Sequence, residues 1–317
     1  MLPKKKVLVT GASGFIGANL VRRLISLDNK VYLLIKSESD IWRLSDIKNK
    51  LIFHNISLDN LNKLKIIINK IKPQIIYHLA AHGSYSHQND PLKIITTNIL
   101  GTTNLLLALN PIDYECFINT GSSSEYGFKN KPMQETDYLE PVSYYAASKA
   151  SGTYLAKVFA KIFTKPVITI RPFSVYGPYE EETRLIPTVI LNILHNQPVK
   201  LTVNLAKRDF IYVEDLIDCY LLLAKKINKK IYGEVYNAGT GKQYSNREIV
   251  ETIKNLTKKK VKILKGAYQN RAWDTSFWVA DISKITKDIG WKPKCTLEKG
   301  LEKTINWFKQ NERLYLK

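Results

Sequence analysis

The stretch KVLVTGASGFIG, Lys6 to Gly17, decides the fold. Its first five residues are a short β-rich run. Three glycines follow at positions 11, 14 and 17, and then Leu20, Leu24 and Leu27 recur at helical spacing. The reading is strand, glycine turn, helix. Gly11 permits the tight turn, and Gly14 lets backbone approach a diphosphate. Gly17 lets the helix pack close to the strand, and the helix N-terminus faces the anion. With Ser13, Phe15 and Ile16 between the glycines, the stretch predicts a dinucleotide cradle. The spacing is GxxGxxG rather than GxGxxG, and the bland alternative is a tight turn that holds nothing.

Working outward, the alternation continues. Val31–Ile35 reads as a second strand. It runs into Lys36-Ser37, with Arg43 further on, where a carboxylate would have bound the ribose 2′-hydroxyl of NAD. A cation and a hydroxyl there suit the 2′-phosphate of NADP, while Glu38 and Asp40 keep NAD open. Leu51–Phe53 is a third strand, and Asn55 and Ile56 after it are expected to flank the adenine. Leu58 to Ile71 is amphipathic. Gln74–Ala80 is a fourth strand whose exit, Leu79-Ala80-Ala81, is small enough to pass close to a cofactor. Asp90-Pro91 opens a long helix carrying Asn98. Tyr114–Thr120 and Lys165–Arg171 are the fifth and sixth strands.

This pattern predicts an α/β protein: a Rossmann-type doubly wound parallel sheet over residues 1–174, then a smaller C-terminal substrate-binding lobe over 175–317. A segment near 210–236 is expected to cross back to the first domain.

Chemistry concentrates between Thr120 and Gly152, in Ser122-Ser123-Ser124 and in YAASK, Tyr145 to Lys149. Pro141 and Ser143 are stop and cap signals before a helix. Residues four apart share a helical face, so the Tyr145 hydroxyl and the Lys149 ammonium point at one spot. A nearby cation lowers a phenol's pKa, which makes Tyr145 a candidate proton carrier. Ser122 stands just past the C-terminal end of the fifth strand, on the edge where such sheets bind ligands. The spacing alone is weak, since the chain has 18 tyrosines and Tyr32/Lys36 repeats it within a strand.

Composition narrows the function classes. The net charge of +20 admits attraction to an anionic small molecule, but the lysines are scattered and no basic stripe alternates with aromatics, so nucleic acid is not an expected partner. Cys116, Cys219 and Cys295 are far apart, which favours reduced thiols in a cytoplasmic protein. The five histidines show no ligand spacing, so no metal is expected. No run of membrane-spanning length and apolarity stands out, and no membrane partner is expected.

Taken together, GASGFIG, HLAAHG, TTNILGTTNLL, TGSSSEYG, YAASK, RPFSVYGP, RDFIYVEDL, YNAGTG, RAWDTSFWVADISK and IGWKPKCTLEKGL resemble, in order and over nearly the full length, the extended short-chain dehydrogenase/reductase family that acts on nucleotide sugars. The resemblance implies Tyr145 and Lys149 as the catalytic pair with Ser122 as the hydroxyl shared by epimerases and reductases. It implies an NAD(P) site that also takes in Pro172 and Ser174. It implies a nucleoside-diphosphate sugar as partner, with Arg208 and Arg271 near the diphosphate and Ser123 and Ser124 beside the sugar. Family dehydratases carry acid/base carboxylates where this chain has Ser124 and Ser123, and Glu125 falls one residue late.

The leading expectation is an NADP(H)-dependent 4-ketoreductase of a nucleotide-linked 4-keto-6-deoxy sugar. The rivals are an NAD-dependent nucleotide-sugar 4-epimerase, a 4,6-dehydratase and a non-catalytic cofactor-binding protein. The resemblance also implies a homodimer through the helices carrying Asn98 and Tyr145.

Overall fold

The computed structural model describes residues 4–202, 206–259, 261–268 and 275–315. β1 (Lys6–Thr10) leads through the glycine turn to α1 (Phe15–Ser26) and β2 (Lys30–Ile35). A 3-10 stretch (Trp42–Lys50), β3 (Ile52–Asn55), α2 (Leu61–Ile71) and β4 (Ile75–His78) come next. The following helix is continuous from Pro91 to Leu109: α3 (Pro91–Ile95), a π-helical turn (Thr96–Leu100) and α4 (Gly101–Leu109). β5 (Cys116–Thr120), α5 (Tyr144–Ile162) and β6 (Val167–Pro172) complete this half. The remainder runs β7 (Ser174–Tyr176), α6 (Leu185–Leu194), β8 (Val199–Thr202), β9 (Lys207–Arg208), β10 (Phe210–Tyr212), α7 (Val213–Lys226), β11 (Val235–Ala238), β12 (Tyr244–Ser245), α8 (Asn246–Thr257), β13 (Ile263–Tyr268), α9 (Ser283–Ile289) and α10 (Leu297–Asn311).

Seven parallel strands form one sheet in the order β11-β6-β5-β4-β1-β2-β3. The order reverses between β1 and β4, which opens a crevice at their carboxyl ends. Every residue of β5 and β6 is buried, as in parallel strands covered on both faces. β11 comes from the far half of the chain, pairs with β6 at the sheet's edge and closes it there.

The two halves share one core. A single apolar cluster runs from Val7 and Leu33 in the sheet through Leu216 and Tyr220 of α7 to Ile249 of α8 and Phe308 of α10. A second cluster packs Leu64 and Ile68 of α2, Leu105 of α4 and Phe159 of α5 on the other face.

Element ends depart from the sequence reading where capping overrides periodicity. The amphipathic run from Leu58 becomes helical only after Asn60, whose side chain accepts the Lys63 N–H at 3.0 Å. The fourth strand ends at His78. Leu79 still donates its N–H to Thr10 O at 3.1 Å before the chain turns away.

The Pro91–Leu109 helix is long and apolar enough to cross a membrane by length and composition, and half of it is buried in the fold. Its other half leaves Leu92 75% exposed.

Candidate active site

The glycine turn has the geometry expected of a cradle. Gly11 sits at φ +71°, and a Cβ there would lie 2.5 Å from Ala80 N and Leu79 C. The exit of β4 therefore passes directly against the turn, bringing Leu79, Ala80 and Ala81 to it. A Cβ on Gly17 would lie 2.2 Å from Gly11 O, so α1 can seat on the turn only without a side chain at that position. Gly14 caps α1 and offers no side-chain oxygen to its first N–H groups, which leaves them for an anion. Ser13 and Ile16 are half-buried and Phe15 is buried beneath the turn. A bare helix N-terminus above a floor without Cβ atoms fits a dinucleotide diphosphate.

Around the ends of β2 and β3 the geometry divides the residues expected to hold the adenosine. Ile56 is buried and donates to Ile35 O at 2.7 Å, and exposed Asn55 precedes it. Lys36 is half-buried just past β2. Arg43, read as support for a 2′-phosphate, is committed elsewhere: it pairs with Glu181 at 2.9 Å, donates to Tyr179 O at 2.8 Å and lies 4.3 Å over the Trp42 ring. Burial drives it there, since an arginine 8% exposed must be paired. Ser37 donates to Glu38 at 3.2 Å.

Ser122 caps a 3-10 turn, Ser123–Tyr126, just past β5. Its Oγ accepts from Ser124 N, and Glu125 reaches back to the Ser122 N–H at 2.7 Å. Tyr145 and Lys149 lie on the first turns of α5, which Ser143 caps through its Oγ and Ala146 N at 3.1 Å. Burial pulls the Lys149 ammonium down to about 8, against an opposing pull from Glu125.

The sequence reading expected Lys149 to lower the Tyr145 phenol, and here the structure differs. Burial pushes the phenol above its ordinary value, while the Ser122 hydroxyl and Arg184 pull back. The phenol is therefore protonated at neutral pH and poised as an acid.

Two neighbours had no role in the sequence reading. Asn98, on the π turn, accepts from His82 N at 2.8 Å and donates to His82 O and to Ser148 Oγ, each at 2.8 Å. It thus ties the β4 exit to α5. Arg184 donates to Ser84 O at 3.0 Å and sits 5.0 Å over the Tyr85 ring. Gly83, at φ +97°, brings this loop so close that a Cβ on it would lie 3.3 Å from Tyr145 Cβ.

At the residues expected beside the sugar, Ser123 Oγ accepts from Trp278 Nε1 at 3.1 Å, and Arg208 lies 5.1 Å over the Trp278 ring. Ser124 is half-buried beside them. Asp209 turns inward and accepts from Thr240 N, Gly241 N and Ala280 N. Pro172 ends β6 and half-buried Ser174 opens β7. Arg271 lies outside the described residues.

Glu180, between β7 and α6, is 7% exposed, and its Oε2 has no hydrogen-bond partner. Burial raises its carboxyl from 4.5 to about 8, with Arg184 and the Gly177 N–H pulling the other way. The folded state therefore holds a proton that the unfolded chain releases between these values. The stabilisation is complete below about 4.5 and is lost as pH rises through about 8. Urea midpoints should fall across that window, and the fall should be shallower in Glu180→Gln, which carries no proton to lose.

Comparison with known proteins identifies the family and fold. The GDP-mannose 4,6 dehydratase family profile matches residues 8–304. The UDP-glucuronate 4-epimerase of Thermodesulfobacterium geofontis is 30% identical, over 97% of this chain and 97% of its own. The UDP-glucose 4-epimerase of Thermotoga maritima, solved with UDP-glucose, superposes with TM-score 0.88 at 26% identity, covering 97% of this chain and 99% of that one. The dTDP-glucose 4,6-dehydratase of Bacillus anthracis, solved with NAD, gives TM-score 0.86 at 27% identity over 98% of each. The profile match over residues 8–304, with relatives alike along nearly the whole chain, places this protein in the GDP-mannose 4,6 dehydratase family of extended short-chain dehydrogenase/reductase enzymes, the nucleotide-sugar epimerases and dehydratases.

Proposed function

We propose that this protein is an NAD-dependent nucleotide-sugar 4-epimerase acting on a UDP-linked hexose or hexuronate. The observation that carries the reading is the serine turn. Ser122 is set beside Tyr145, while the places that hold acid/base carboxylates in dehydratases are Ser123 and Ser124. Glu125, the carboxylate of the turn itself, is fully buried against Arg171. This arrangement supports proton transfer at a sugar oxygen over elimination of water.

Tyr145 carries the proton to and from the C4 oxygen, Ser122 hydrogen-bonds that oxygen, and Lys149 holds the nicotinamide ribose and the charge beside Tyr145. When bound, the nicotinamide supplies the hydride acceptor and donor. NAD is favoured over NADP because Arg43 is engaged with Glu181 and Glu38 stands beside Ser37. The solved dehydratase relative holds NAD as well.

One observation sustains the reductase that led the sequence reading: half-buried Lys36 stands just past β2, where a cation suits a 2′-phosphate.

We assign residues 1–174 chiefly to the cofactor and 175–317 chiefly to the sugar nucleotide, in a cytoplasmic protein whose three cysteines are free. We also place two copies face to face through α4 and α5, where Leu107, Tyr154, Val158 and Ile162 are 41–67% exposed. Light scattering should give twice the 36.3 kDa of one chain, and Val158→Asp should return the single mass.

The function test begins with the cofactor released on denaturation, identified by mass spectrometry. UDP-glucose, UDP-galactose and UDP-glucuronate are then supplied separately and followed for interconversion at C4 without net cofactor turnover. The reading is overturned by NADPH oxidation against a nucleotide-linked 4-keto-6-deoxy sugar, or by accumulation of a 4-keto product from dTDP-glucose.

A further inference from the structure

We propose that Glu125 is a positioning residue, tying the Ser122 turn to the face of α5 that carries Tyr145 and Lys149 through a single carboxylate bonded to both. This rests on Tyr145 as the proton carrier and deepens that reading.

The geometry is specific. Oε1 accepts from the Ser122 N–H at 2.7 Å and from Thr153 Oγ1 at 3.0 Å, and Oε2 accepts from Arg171 Nε at 2.8 Å. Thr153 is the third residue of a row on α5: positions 145, 149 and 153 are four apart and share one face. Glu125 therefore grips the catalytic face itself, one turn beyond Lys149. Glu125 is 0%, Thr153 1% and Arg171 3% exposed, so water does not compete for these bonds.

The chain also makes room for this carboxylate. A Cβ on Gly121 would lie 2.5 Å from Glu125 Oε1 and 3.1 Å from Arg171 Cγ. Arg171 is in turn fixed 4.6 Å over the Tyr126 ring, whose hydroxyl donates to Asn237 Oδ1 at 2.7 Å. A carboxylate one place away from a dehydratase's acid thus serves as the joint between two catalytic elements.

Electrostatics adds a function that packing alone does not supply. The groups facing Glu125 are Ser122, Arg171 and Tyr126, and Thr153, Lys149 and Tyr145 on α5. Its charge opposes the effect of burial on Lys149 and so keeps that ammonium protonated to higher pH; it also pushes the Tyr145 phenol upward.

The test uses Glu125→Gln in the full chain. The amide oxygen keeps an acceptor for Ser122, and the charge is gone. Should the buried Arg171 left behind prevent folding, the double variant Glu125→Gln/Arg171→Met removes both charges. The first readout needs no substrate. Ultraviolet titration of each form, minus the same form carrying Tyr145→Phe, isolates one phenol. The Tyr145 titration should move to lower pH when Glu125 is neutral. The second readout is kinetic. kcat should fall by roughly tenfold to a hundredfold, the scale of an ångström misplacement near reacting atoms. KM should change little, and the alkaline limb of kcat should move to lower pH.

An unmoved phenol titration overturns the proposal, whether or not kcat falls, because a merely structural role would leave it in place. Absence of turnover by wild type on every sugar nucleotide would instead sink the epimerase reading, and the titration would still decide Glu125.

Discussion

Tyr145→Phe should lower turnover about 10³-fold while leaving cofactor affinity within a few-fold of wild type, as positioned acid–base groups contribute roughly 10²–10⁴. The ring packs identically without its oxygen, so the fold loses little. What disappears is the phenol that shares a helical face with Lys149 and stands across from Ser122. The phenol's raised pKa sharpens the expectation. At neutral pH the hydroxyl carries its proton, so reduction of a C4 carbonyl starts with the acid in place. Oxidation of a C4 hydroxyl first requires the phenol to release that proton. Single-turnover reduction and oxidation, measured separately, should both collapse in the variant. Turnover within threefold of wild type would remove Tyr145 from the role.

Gly17→Ala is the second large effect, and it acts through shape. The added methyl would meet Gly11 O at 2.2 Å and Ala12 Cα at 2.8 Å. Both are backbone atoms, and Gly11 is itself wedged against Leu79 and Ala80, so neither side can yield cheaply. Overpacking typically costs about 1–3 kcal/mol and occasionally more. With backbone on both sides, the upper end is expected, about 3 kcal/mol by urea denaturation. The same displacement lifts the α1 N-terminus off the turn, so dinucleotide affinity should fall as well, by at least tenfold in a fluorescence titration. Wild-type stability and affinity together would mean that α1 does not need this close seat.

These two variants mark how far the sequence could be read. Gly11, Gly14 and Gly17 announce their roles because only one residue type meets their steric demand. Tyr145 and Lys149 announce theirs through a fixed helical spacing. The alternation of strand and helix made the sheet legible for the same reason, since periods of 2 and 3.6 are local.

What stayed hidden depends on contacts between distant parts of the chain. Arg43 looked like a phosphate ligand until Glu181 and Tyr179 were found against it, 138 and 136 positions away. The Tyr145 phenol was expected to be lowered by its helical neighbour, but burial, which no local pattern reports, decides the direction. Glu125 read as an acid one step out of place, and only Arg171 and Thr153 reveal that it faces inward. Asn98 was noticed in its helix without a role, because a π turn sets where its amide points.

The return of β11 to the sheet has a consequence for how such a protein could be divided or assembled. The first 174 residues look like a module that could be cut out, recombined or inherited by itself. Yet β6, buried at every position, would then become an open edge, with unpaired N–H and carbonyl groups beside bare apolar side chains. Edges of that kind recruit other chains. The module therefore has a sticky seam that only a strand made some sixty residues later can seal. During synthesis from the ribosome, the sheet must wait for the far half of the chain before it is safe from aggregation.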